Sequence, residues 1–288
     1  MRLHQAVMAL GMSVALALLS APLYGQGAAP QRPAPARPWP PALTPDGQPD
    51  VQGTWRPVLG GTHTLDPAMS SAAEFEERMT GIKNRNPSRI VDPPDGHIPY
   101  QPWASARQKE LAAAYEHPTR PEHIDSQTRC LVDGPRLYYF PSFRILQPAG
   151  SVVFVWDEYH AFRVIPLDGR PHVAPDVKLW MGDGRGRWEG NTLVVDTTNL
   201  KAGSRLDVVG DFFSDQAHIV ERFIFVDGST MNYEATITDP TVFTRPWTMR
   251  AAQRRMPDDE FWEWACHEGE RDAAHSSGQV IDSGTPKQ

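Results

Sequence analysis

Glu158 and His160 stand two residues apart in the run SVVFVWDEYHAFRVIPL, residues 151–167. On an extended strand, residues two apart point to the same side and lie about 6–7 Å from each other. That face reads Val152, Phe154, Trp156, Glu158, His160, Phe162, Val164. A carboxylate and an imidazole at this separation, flanked by aromatic rings, are what a general acid/base pair in an apolar pocket requires. Apolar surroundings raise the carboxyl pKa and lower that of the imidazole, bringing both towards neutrality. If the face instead points outward, Asp157, Tyr159 and Arg163 line the interior. Glu221 is the third candidate. In HIVERFIF, residues 218–225, the apolar Ile219, Phe223 and Phe225 mark the core side and place Glu221 among them. A buried carboxylate needs a partner, and Arg163, Arg222 and His160 are available; a purely structural ion pair is the alternative role. For ligand binding the candidates are Trp156, Phe162, Arg163, Tyr233 and His218. Tyr233 offers a phenol from the face shared with Met231, Ala235 and Ile237, and His218 lies on the opposite face at the start of its strand.

Other chemistry finds little support. There is no G-x-S-x-G, S-x-x-K or phosphate-binding loop. His160, His172, His218 and His267 form no H-x-H or H-x-x-x-H pair, so no metal ligand set is expected, and nothing calls for a cofactor. The Gly-rich GDGRGRWEG, residues 182–190, precedes a strand rather than a helix and reads as a wide turn with Arg185 and Arg187 at a pocket rim. The net charge of −7 gives no basic excess to neutralise phosphates, so nucleic acid is not an expected partner.

The elements that must hold these residues follow from pattern. Residues 1–27 have the layout of a signal peptide: Arg2 and His4, an apolar run from Ala6 to Leu19, then small residues. The apolar run is shorter than the roughly 20 residues of a membrane span, which implies a secreted or periplasmic protein without a membrane span. Residues 28–50 are too Pro-rich for helix or inner strand and read as a linker or surface arm. Residues 51–129 open with a short strand at 51–57. An irregular region follows, with helices over 70–83, capped by Ser, and 103–116, which is rich in Ala. From Cys130 the period changes to two. Strands at 151–167, both sides of Gly190-Asn191, both sides of Asp227-Gly228, and in FTRPWTMRAAQRR and EFWEWACHE give seven to nine over residues 130–269. Such a series predicts a mainly β protein: an antiparallel β-barrel of the lipocalin or calycin kind, or a sandwich. Residues 270–288 read as a disordered tail. Two cysteines in an exported chain, Cys130 and Cys266, imply a disulfide closing a loop of more than a hundred residues, worth roughly 4–5 kcal/mol in the chain-entropy model.

The strings DGRPH, GRWEGNTLVVDT, HIVERF, TRPWT and CHEG, with TPDGQPDVQGTW and DGHIPYQPW, occur in this order over residues 44–269. In this the chain resembles a large family of uncharacterised secreted bacterial proteins. The resemblance implies one exported domain and assigns no catalytic residue. Gly53-Thr54-Trp55 is also similar to the Gly-x-Trp that opens lipocalin-type barrels, although the same pattern recurs at Gly186-Arg187-Trp188. The expected function is to hold a small, mostly apolar or aromatic ligand in an internal pocket. The alternatives are a cofactor-independent acid/base enzyme (an isomerase, lyase or hydrolase) and a structural envelope protein without a pocket. The oligomeric state is not legible.

Overall fold

A computed structural model describes residues 39–58, 64–66, 88–114, 118–127, 129–138, 141–159, 161–257 and 261, all within the unit 33–288. The expected signal peptide, the helix over 70–83, His160, Cys266, the tail, and all of the last expected strand except Phe261 lie outside the described residues.

Ten antiparallel strands form one nearly closed, barrel-shaped sheet, which settles the choice between barrel and sandwich. They are β1 (Gly53–Pro57), β2 (Ile90–Asp92), β3 (Phe143–Leu146), β4 (Ser151–Trp156), β5 (Phe162–Pro166), β6 (Asp183–Glu189), β7 (Thr192–Thr198), β8 (His218–Phe225), β9 (Thr230–Thr238) and β10 (Trp247–Arg255). Among the described residues the one α-helix is α1 (Pro102–Ala114), and no helix is long and apolar enough to cross a membrane. The strands run in the order β5-β4-β3-β1-β10-β9-β8-β7-β6, and β2 pairs β10 beside this path. β3–β5 and β6–β10 are thus two meanders, and β1 is the strand between them. Trp55 faces Phe143 on one side and Arg255 on the other. The Gly-x-Trp strand earns its place by joining the two halves.

Alternation decides the core. β8, β9 and β10 each bury every second residue, so Phe223, Phe225, Tyr233 and Ile237 point inward as expected, and Trp247 and Met249 join them from β10. Tyr138 enters from a short 3₁₀ turn and packs against Phe143, Phe154, Trp156, Phe223 and Tyr233, with ring centroids 4.7–5.6 Å apart. Truncating one such ring to Ala costs about 3–5 kcal/mol.

Two expectations are corrected. Residues 182–190 are not a wide turn: 183–189 is β6, with Gly184 buried at the seam where the free edges β5 and β6 approach. A Cβ there would stand 2.7 Å from Ile165 Cδ1, and one on Gly186 2.7 Å from Leu167 Cδ2, so glycine lets the edges close. Nor is 151–167 one strand. The chain reverses after Trp156, whose N–H is answered by the Ala161 carbonyl at 2.9 Å, and Tyr159 takes a left-handed φ of 59°. The reversal flips the phase: Val152, Phe154 and Trp156 point inward from β4, Arg163 and Ile165 from β5.

Candidate functional site

The hairpin separates residues that the single-strand reading put on one face. Trp156 is buried in the aromatic core, whereas Phe162 is 67% exposed and points away from it. Glu158 is buried at the reversal, accepting a hydrogen bond from Gln127 Nε2 at 3.1 Å. His160, its expected partner, lies outside the described residues.

Arg163, Glu221 and Tyr233 do meet. Arg163 Nη1 donates to Glu221 Oε1 at 2.9 Å and to the Tyr138 hydroxyl at 3.1 Å. Its Nη2 lies 2.8 Å from Glu221 Oε2 and donates to Thr197 Oγ1 at 2.7 Å. Thr197 and Tyr233 each donate a hydroxyl hydrogen to Glu221, at 2.7 and 3.0 Å. Burial opposes charge on Arg163, but Glu221 and Tyr138 overcome it and hold its pKa above the ordinary value. Burial, then the Glu221 charge, raises the Tyr233 phenol. With four donors on a carboxylate that is 1% exposed, this network ties β5, β7, β8 and β9 together. It serves the core, and of the three partners named for Glu221 the structure selects Arg163.

His218 lies on the outer face, its Nε2 2.8 Å from Asp196 Oδ2. His172 approaches the other Asp196 oxygen at 2.9 Å and touches Asp183 at 3.0 Å. Burial raises the Asp196 pKa, but the hydrogen bonds from His218 and His172 outweigh it and the carboxyl titrates below its usual range. No set of three or more His, Cys, Asp or Glu side chains among the described residues is arranged to hold a metal ion. Cys130 is described, with φ 54°, and Cys266 is not.

The arrangement best suited to chemistry was not among the sequence candidates. A cleft of ≈ 610 Å³ opens between α1, residues 93–100 and Asp66. Ser105, Lys109 and Ala113, each four residues apart on α1, present one stripe to it, while Ala104, Gln108 and Leu111 face the core. His97 Nδ1 lies 2.8 Å from Asp66 Oδ2; the Asp66 side chain is 1% exposed and that of His97 49%. The backbone N–H of His97 is held by Asp95 Oδ1 at 3.0 Å. The hydrogen bond that Nδ1 donates to Asp66, then the Asp66 charge, raises the His97 pKa above the usual imidazole value.

From the cleft wall Tyr100 donates its phenolic hydrogen to Asp211 Oδ1 at 2.8 Å. Burial pushes the Asp211 pKa far up, and the adjacent Asp207 carboxyl pushes it further. Asp207 is fixed by the backbone N–H groups of Leu65, Gly210 and Asp211 at 2.9–3.1 Å. Gln108 is fully buried at the junction of α1 with the core, and neither end of its amide has a hydrogen-bond partner among the described residues. His97 and Tyr100 both fall in DGHIPYQPW, which marked the resemblance. No local pattern foretold their partners, because Asp66 and Asp211 are 31 and 111 residues away in sequence.

Fold and site together define an antiparallel β-barrel whose helix and early loops build a cleft at its margin. No family model and no curated protein matches the chain.

Proposed function

We propose that the protein acts on a small molecule by proton transfer in the cleft between α1 and residues 93–100. The observation that carries this is the Asp66–His97 pair. A buried carboxylate holds one imidazole nitrogen and fixes the ring, leaving Nε2 on the exposed side to take and return a proton. The orientation of a histidine by an acid on its other nitrogen is the general arrangement of acid–base catalysis. Lys109 places a cation at the rim, and Ile98, Pro93 and Pro99 supply apolar contact. This reading puts the acid/base pair at Asp66 and His97, in addition to the sequence candidates Glu158 and His160, in a cleft outside the aromatic core. Export and the Cys130–Cys266 bridge belong to the same proposal, supported by the leader-like residues 1–27 and the pair of cysteines. Alkylation without reduction should then add nothing to the intact mass.

The test is hydrogen–deuterium exchange into a panel of small enolisable carbonyl compounds, with and without a carboxylate, in deuterated water. Exchange by the wild type should fall about 10²-fold or more in His97→Gln. Asp66→Asn should lower it less and move its pH profile down, since the imidazole loses the partner that raises it. Equal rates in wild type and His97→Gln would contradict the proposal.

A further inference from the structure

A second cavity, of ≈ 170 Å³, lies where residues 39–51 fold over β1 and the ends of β8 and β10. It shares no lining residue with the cleft. Trp39, Pro41, Ala42, Val51, Trp55 and Phe225 supply its apolar walls. Trp55 and Phe225 are buried and meet edge to face, with ring centroids 5.5 Å apart and planes at 66°. Trp39 packs against the core as the third ring. The stretch that carries it is tied to the barrel. Asp46 Oδ2 accepts from the Gly150 N–H at 2.9 Å, Gln147 Nε2 donates to the Pro49 carbonyl at 3.0 Å, and Trp188 Nε1 donates to Gln48 Oε1 at 3.3 Å.

Each charged residue of the lining is committed to the protein itself. Asp50 Oδ1 accepts from the Gln52 backbone N–H at 3.2 Å and from Gln52 Nε2 at 3.3 Å. Asp227 Oδ1 accepts from the Ser229 N–H at 2.7 Å and from its hydroxyl at 2.8 Å. The Arg255 guanidinium lies 5.4 Å from the centre of the Trp55 ring and donates to the Gln52 carbonyl. The protein's own cation therefore already takes the place over Trp55 that a cationic ligand would seek. A charged ligand would give up water and have to compete with these internal partners, which is costly. An uncharged ring needs no partner. An apolar cavity of about 150 Å³ accepts a molecule of benzene size, so the room here matches one ring. A further aromatic ring packs edge-on or offset against Trp and Phe at about 4.5–7 Å between centroids.

We propose that this cavity is a second ligand site, independent of the cleft, that takes one uncharged aromatic ring of about the size of benzene or toluene. The experiment is fluorine nuclear magnetic resonance of fluorobenzene titrated with the full chain, followed by competition. Fluorobenzene should bind saturably and be displaced by toluene, and benzylammonium should compete more weakly than toluene, by roughly tenfold. Trp39→Ala should weaken fluorobenzene about tenfold, and Trp39→Phe, which keeps a ring, should restore most of it; circular dichroism shows that both variants keep the barrel. His97→Gln, which alters the cleft, should leave fluorobenzene binding unchanged, so this site and the proton-transfer site stand or fall separately. No saturable binding, benzylammonium competing as well as toluene or better, indifference to Trp39→Ala in a folded variant, or loss of binding in His97→Gln would each overturn the proposal.

Discussion

Replacing Glu221 by Leu removes the one carboxylate that faces Arg163 among the described residues. The guanidinium is then left buried and uncompensated, and breaking a buried pair from one side costs about 3–5 kcal/mol. The Thr197 and Tyr233 hydroxyls, 2.7 and 3.0 Å from the lost oxygens, lose their acceptor at about 1 kcal/mol each. The sum, roughly 5–7 kcal/mol, is comparable to the whole stability of many domains. Arg163→Met alone should cost about 3–5 kcal/mol, somewhat relieved because those hydroxyls still serve Glu221. The double variant Arg163→Met with Glu221→Leu exchanges a satisfied pair for apolar groups, and should lie within about 2 kcal/mol of wild type. The coupling between the sites is therefore expected to reach about 5 kcal/mol or more, beyond the usual range for neighbours because two charges are involved. Urea unfolding followed by tryptophan fluorescence measures all four species, with Glu221→Gln as a milder substitute if Glu221→Leu does not fold. Single variants that each cost under about 1 kcal/mol, or a double variant equal to the sum of the singles, would refute the reasoning.

Other consequences are as specific. Burial pushes the Asp157 carboxyl up to about 6, so folding opposes its ionised form. That penalty is absent below about pH 4, where the group is protonated folded and unfolded, grows as pH rises to 6, and is complete above. Asp157→Asn should leave the melting temperature at pH 4 unchanged and raise it by about 2–4 °C at pH 8, equivalent to about 1 kcal/mol after solvent screening of a half-buried group. Gln108→Met replaces an amide that has no partner among the described residues by an apolar chain of similar shape, and should raise stability by about 1–3 kcal/mol in the same urea assay; a loss would show that the amide is needed where it is. Gly184→Ala should cost about 1–3 kcal/mol by crowding Ile165 Cδ1, and Ile165→Val, which deletes that methyl group, should recover much of the loss by thermal melting.

The barrel was legible because inward faces declare themselves by period. Ile219, Phe223 and Phe225, or Met231, Ala235 and Ile237, need no tertiary knowledge to be assigned a side. The β4–β5 hairpin was hidden because its reversal carries none of the usual signals: Asp157-Glu158-Tyr159 has no Gly or Pro, and it is Tyr159 that adopts positive φ. Alternation simply resumes in the opposite phase, so reading straight through the reversal exchanges the faces of Phe162 and Arg163. β2 and β3, three and four residues long, are too short to show a period at all. The cleft was missed for a different reason. His97 looks like any loop histidine until Asp66 is beside it, and that meeting depends on segments that pair only in three dimensions.

The Asp66–His97 pair is most directly tested by histidine-selective nuclear magnetic resonance on the full chain, in which His97 is one of ten histidines. His97 should titrate above the ordinary imidazole value, fall back in Asp66→Asn, and be the histidine whose Nε2 signal moves when a carbonyl compound from the panel is bound. An ordinary titration indifferent to Asp66, with ligand-induced shifts confined to His172 and His218, would place the working site elsewhere on the barrel.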